Sequence, residues 1–243
     1  MLQRIRYGNV EYTLNALTYG WWLRGLYLND ADLAVLEHNG TEQHGLAGTT
    51  TTTHDFDARS RLLKTVVAGG LLLNGDNLTS AGTRDAVGAV IGGGAGAGTP
   101  ATLLRSVLDA TAGPAFFRPV QCDGDASEVF VLRRSGGGGS GGGGGSSGSG
   151  SGSGNRTSYY LAIFHYFDGH GGGGPSSVFA TGSDEALLDL SHADMPAGEA
   201  GLACSDAWQL GHEARVDGGT LAVRGVLQGT SCLLHCTVDD RWA

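Results

Sequence analysis

The sequence predicts an α/β segment followed by an all-β segment, and three observations predict it. Before residue 115, apolar residues recur at helical spacing between short apolar runs, which gives the order α-β-α-β-α. After residue 115, short β-branched and aromatic runs are separated by glycine, proline and serine, the pattern of an antiparallel β-sandwich. Within that second part, residues 136–154 consist of 13 glycines and 6 serines, flanked on both sides by strand-like runs.

The first helix is read from Val10, Leu14, Leu17 and Trp21, which recur every three to four residues. Residues 12–36 then run from this aromatic-ended helix into a strand at 26–28, which stops at Asn29, Asp30 and Asp32. Leu62, Val66 and their neighbours give a second helix, and 71–73 a second strand. A third helix is expected over 83–91, with the hydroxyls of Thr79 or Ser80 as its cap. The expected sandwich strands are 129–132, 160–167, 178–180, 221–226 and 232–238.

A Gly/Ser tract carries no side chain that can be buried, so 136–154 is expected to be a disordered, solvated spacer. The runs on either side, 128–133 and 159–167, read as neighbouring strands of one sheet joined by an overgrown turn. A flexible loop costs only about 0.6 kcal/mol per doubling of length, so a sheet tolerates such an insertion.

A chain of 243 residues, 40% hydrophobic, has room for one large domain or two small ones. Its net charge of −9, with Lys64 as the one lysine, argues against a nucleic-acid partner. No apolar run approaches the roughly 20 residues that span a bilayer, and the N-terminus lacks a charged-then-apolar leader pattern. No membrane partner is expected. Asn39, Asn77 and Asn155 begin short glycosylation patterns that arise often by chance.

Cys122, Cys204, Cys232 and Cys236 are too few and too irregularly spaced for a disulfide framework, and are expected as small buried hydrophobes. Cys232 and Cys236, four apart on a strand, point to one face. His38, His44 and His54 lie in a Thr- and Gly-rich loop without a tight ligand pair, so no metal is expected. The glycine-rich run 92–98 follows a helix instead of a strand, which is the wrong context for a dinucleotide loop; no cofactor is expected.

The segment Asn29-Asp30-Ala31-Asp32, after a Trp-rich helix, resembles the Asn-Asp-Pro-Asp motif of the α-galactosidase glycoside hydrolases, with Ala31 in place of proline. Asp76-Asn77-Leu78, after a leucine run, resembles the end of that family's last barrel strand. The segment 115–120 is similar to its link into the C-terminal domain. Ser205-Asp206-Ala207-Trp208, followed by Gly211, resembles the Asp-x-Trp turn of its β-sandwich. The motifs fall in the family's order. The resemblance implies a partial (β/α) barrel at 1–115, comprising the last two strands and their helices, followed by an antiparallel β-sandwich at 116–243.

It also implies hydrolysis of terminal α-linked galactose as the parent reaction, and a galactose-containing sugar as ligand. Retaining glycoside hydrolysis needs two carboxyl groups about 5–5.5 Å apart. The family draws them from earlier barrel strands, so no catalytic residue is carried over to this chain, and the missing N-terminal barrel half is an expected partner. Residues 1–8 contain no carboxylate. Asp30, Asp32 and Asp76 are the candidate substrate-binding residues, with Asp32 in the place that lines the galactose pocket. The other reading of Asn29, Asp30 and Asp76 is as turn caps, where Asx side chains bond nearby backbone N–H groups. Trp21 and Trp22 are either stacking platforms for a hexose or core residues, and their place between apolar neighbours on a helix favours core. The alternative function is a non-catalytic carbohydrate-binding or structural β-sandwich module.

Overall fold

In the computed structural model, the described residues are 10–22, 33–34, 36, 57–69, 73–74, 78–79, 81–92, 116–121, 126–135, 157–167, 177–196, 201–208 and 211–238. Helix α1 (Val10–Gly20) buries Val10, Leu14 and Leu17 along one stripe, as the spacing predicts. Helix α2 (Ala58–Ala68) opens at Asp57, whose side chain accepts from the Ser60 N–H at 2.7 Å, and closes at Gly69 in the left-handed region. All but one of its residues are buried, Lys64 among them. Strands β1 (Leu33–Ala34) and β2 (Leu73–Asn74) flank α2 in the chain and pair in parallel, Leu33 opposite Leu73. Helix α3 (Ala81–Gly92) follows them.

The remaining described strands form two open antiparallel sheets. One holds β3 (Arg118–Pro119), β4 (Val129–Ser135), β5 (Thr157–Phe164), β10 (Ser231–Val238) and β7 (Leu202–Asp206), in that spatial order. The other holds β6 (Ala186–Asp189), β9 (Thr220–Arg224) and β8 (Glu213–Asp217). The five-stranded sheet is buried on both faces because successive side chains alternate. Phe130, Leu132, Ala162, Phe164 and Leu233 pack with α1 and α2, whereas Val129, Val131, Leu161, Ile163, Cys232 and Leu234 pack with Ala186, Leu188, Leu221 and Val223 of the smaller sheet. Two apolar cores on one continuous-apolar sheet explain why 129–132 and 161–164 carry no polar alternation. The two sheets sharing a core are compatible with the expected sandwich.

Hydroxyl groups pin the helices to the sheet. The Thr18 Oγ1 accepts from the Ser127 N–H at 2.8 Å while donating to the Leu14 carbonyl, and the Ser60 hydroxyl donates to the Ser231 hydroxyl at 2.8 Å. The Asp57 N–H donates to the Gly229 carbonyl, tying the start of α2 to the turn before β10. Gly229 has a φ of 75°, a backbone region that other residues rarely adopt, and an added Cβ there would also run into the Phe167 ring, so the turn calls for glycine.

Strands β4 and β5 pair antiparallel from the last residue of β4 and the first of β5, Ser135 opposite Thr157, so in sequence the Gly/Ser tract lies within the connection of a hairpin. Residues 136–154 themselves lie outside the described residues. Replacing the connection 136–156 by a four-residue turn is expected to leave the melting temperature equal or slightly higher, because loop closure costs about 1.5 kcal/mol less. Thermal denaturation followed by circular dichroism checks this, and a loss of several degrees would show that the tract packs on the fold.

Cys204 and Cys236 form a disulfide, which corrects the expectation that the cysteines are simply small buried hydrophobes. The physical reason lies in the register: the two residues stand directly opposite on β7 and β10, with Cα atoms 4.0 Å apart. Cys232 keeps the expected role of a buried thiol. Among the described residues, no helix is long and apolar enough to cross a membrane.

Candidate functional site

The sequence-predicted sugar contacts, Asp30, Asp32 and Asp76, lie outside the described residues, as do Asn29, residues 26–28, His38, His44 and His54. Their described neighbours fix where they fall along the chain. Strand β1 begins one residue after Asp32, five residues beyond the expected strand at 26–28, and β2 ends two residues before Asp76. The tryptophans are described. Trp21 is half-buried, but Trp22 is 57% exposed and its Nε1–H donates to the Tyr19 carbonyl at 3.1 Å. The core reading therefore fails for Trp22: α1 gives way to a 3-10 turn at residues 21–22, which carries this ring off the buried stripe. Tyr19, three residues earlier, is also exposed.

The Asp-x-Trp segment is a turn at the end of β7. One oxygen of Asp206 accepts from the Trp208 N–H at 2.9 Å, and the other accepts from the His212 N–H at 3.2 Å and meets His212 Nδ1 at 2.9 Å. This Asx geometry drives the Trp208 ring into the helix-side core, where it is buried with α1 and α2. Its Nε1–H finds no hydrogen-bond partner among the described residues. Burial pushes the Asp206 carboxyl up, but the His212 ring and the two backbone donors outweigh it and hold the group below the usual carboxylate range.

Cys232 stands on β10 on the same face as Asp206. Donor atoms of Asp206, His212 and Cys232 all lie within 4.8 Å of one another. The side chains of His212 and Asp206 are 8% and 7% exposed, and Cys232 is fully buried. Burial, with the Asp206 charge as a second cause, pushes the Cys232 thiol well up. A sequence search for ligands by spacing misses this set, because its members come from three different strand ends and meet only through the sheet register.

A second polar site was equally invisible. Glu128, at the entry to β4, is 3% exposed and accepts from the Ser177 hydroxyl at 2.9 and 3.0 Å and from the Val178 N–H at 2.7 Å. No cation pairs with it among the described residues. Burial pushes its carboxyl up to about 7, against the opposing pull of those two donors. One residue beyond Phe164, whose N–H donates to the Glu128 carbonyl, the buried His165 ring stacks on Phe179 at 3.8 Å and donates from Nδ1 to the Val226 carbonyl, which sets its tautomer.

Comparison with protein-family profiles and with curated protein sequences gives no match.

Proposed function

We propose that this chain carries late barrel strands and the terminal β-sandwich of an α-galactosidase-like glycoside hydrolase, and that it binds a galactose-containing sugar. The observation that carries this reading is the strand–helix–strand unit of β1, α2 and β2. Its two strands run parallel, and α2 lies buried against the sheet that follows. Parallel strands joined through a helix are the repeating unit of a (β/α) barrel, and barrel sites gather at the C-terminal ends of the strands. Asp76 follows β2 by two residues in the chain. The Asp206–Trp208 turn supports the sandwich half, since the motif that suggested it forms a closed Asx turn with a buried ring. Trp22, exposed beside Tyr19, supplies an aromatic face of the kind that stacks on a hexose.

In this reading Asp30, Asp32 and Asp76 accept hydrogen bonds from sugar hydroxyls, and bond cleavage is assigned to none of them. Titration calorimetry is expected to give saturable galactose binding that glucose does not reproduce, weakened about tenfold or more in Asp32→Asn, the scale of one charge-assisted hydrogen bond. Absence of galactose binding, or an Asp32→Asn variant that binds unchanged, would overturn it. Turnover of an aryl α-galactoside that Asp76→Asn abolishes would assign to these acids the catalytic role denied them here.

A further inference from the structure

We infer that Asp206, His212 and Cys232 form a binding site for one divalent transition-metal ion of the zinc class, independent of the sugar site proposed above. The three side chains offer one carboxylate oxygen, one imidazole nitrogen and one sulfur, with the donor atoms within 4.8 Å of one another. This mixed set selects its ion. Calcium and magnesium take oxygen shells, whereas thiolate and imidazole together favour zinc and its neighbours.

The geometry is close to what such an ion needs. His212 Nδ1 and Asp206 Oδ2 are 2.9 Å apart and share one proton. An ion with bonds of about 2.0–2.1 Å to nitrogen and oxygen and 2.3 Å to sulfur is held once the shared proton passes to solvent, that edge opens by a few tenths of an ångström, and the Cys232 sulfur, in a set spanning 4.8 Å, closes to about 3.5 Å from the other two donors. Cys232 supplies the third bond as thiolate, releasing its proton to solvent. The other Asp206 oxygen keeps the Trp208 N–H, so the carboxylate stays oriented while it binds.

The location gives the ion a structural consequence. Asp206 ends β7 and Cys232 lies on β10, both in the five-stranded sheet, whereas His212 immediately precedes β8 of the smaller sheet. An ion there ties the two sheets together where the chain crosses between them. The slight exposure of Asp206 and His212 leaves an entry path, and three protein ligands leave a fourth position for water.

The test uses the full chain with its disulfide intact, stripped by chelator and titrated with cobalt(II), then with zinc. Besides the disulfide pair, the sequence contains two cysteines, Cys122 and Cys232, so Cys122→Ser leaves Cys232 as the single thiol. One equivalent of cobalt is expected to give a thiolate charge-transfer band and tetrahedral visible bands in the native chain and in Cys122→Ser. Both vanish in Cys232→Ala. Zinc should displace the cobalt, show one sulfur neighbour at about 2.3 Å by X-ray absorption in Cys122→Ser, and raise the melting temperature by roughly 5–10 °C at 100-fold excess over Kd. The proposal is overturned by any of three results: no binding at tenfold metal excess, a shell of nitrogen and oxygen alone, or a band lost in Cys122→Ser. The sulfur count in Cys122→Ser decides the matter even where Cys232→Ala does not fold.

Discussion

Glu128→Gln is expected to flatten the pH dependence of stability and to make the protein more stable than the native chain at pH 8. The Glu128 carboxyl is raised from 4.5 to about 7 by burial. Between those two values the folded chain keeps a proton that the unfolded chain has released, so stability falls as pH rises. The contribution is fully present below pH 4.5, declines through the window from 4.5 to 7, and stays lost above it. At about 1.4 kcal/mol per pKa unit the loss is roughly 3 kcal/mol. Glutamine never ionises. Its carbonyl oxygen accepts from the Val178 N–H and its amide donates to the Ser177 hydroxyl, so both contacts of the native side chain keep a counterpart. The variant should therefore match the native chain within about 1 kcal/mol at pH 5 and exceed it by roughly 6–12 °C in melting temperature at pH 8. Melting curves that stay parallel from pH 5 to 8 would show that Glu128 is not the group that titrates.

Why some of this was legible in the sequence and some not follows from which residues carry each signal. The helices were readable because Val10, Leu14 and Leu17 repeat at 3.6 spacing and are buried on one stripe. Strands β4, β5 and β10 were readable because a sheet buried on both faces writes continuous apolar runs. Strands β6, β7 and β8 were missed. They lie in half-exposed positions, so Glu213-Ala214-Arg215-Val216-Asp217 alternates charged and apolar residues and looks like a loop unless read at period two. The expected strand at 178–180 is a single bridge from Phe179 to Ala186. Neither polar site had a local signature. Glu128 is defined by a segment some fifty residues later, and Cys232 meets Asp206 only because Leu234 pairs with Asp206 across β10 and β7. Side chains brought together by register leave no spacing to find.

The Cys204–Cys236 disulfide is expected to be the largest single covalent contribution to stability. It closes a separation of 32 residues, and removing that constraint restores unfolded-chain entropy worth about 3–4 kcal/mol in the loop-closure account. The bond also holds a vulnerable element. Among the described strands β7 is an edge of the five-stranded sheet, paired with β10, with the alternating half-exposed pattern of a strand that packs on one face. Without the crosslink, its five residues depend on that one ladder and on Leu202, Cys204 and Asp206 facing the inter-sheet core. The Cys204→Ala/Cys236→Ala double variant should melt roughly 7–15 °C lower than the native chain. Amide protection should fall first at residues 202–206 and remain high along β5, which is paired on both sides by β4 and β10. A melting temperature within a degree or two of the native value would mean that the β7–β10 ladder alone holds the edge. Uniform loss of protection across both sheets would mean that the crosslink acts only through the unfolded chain.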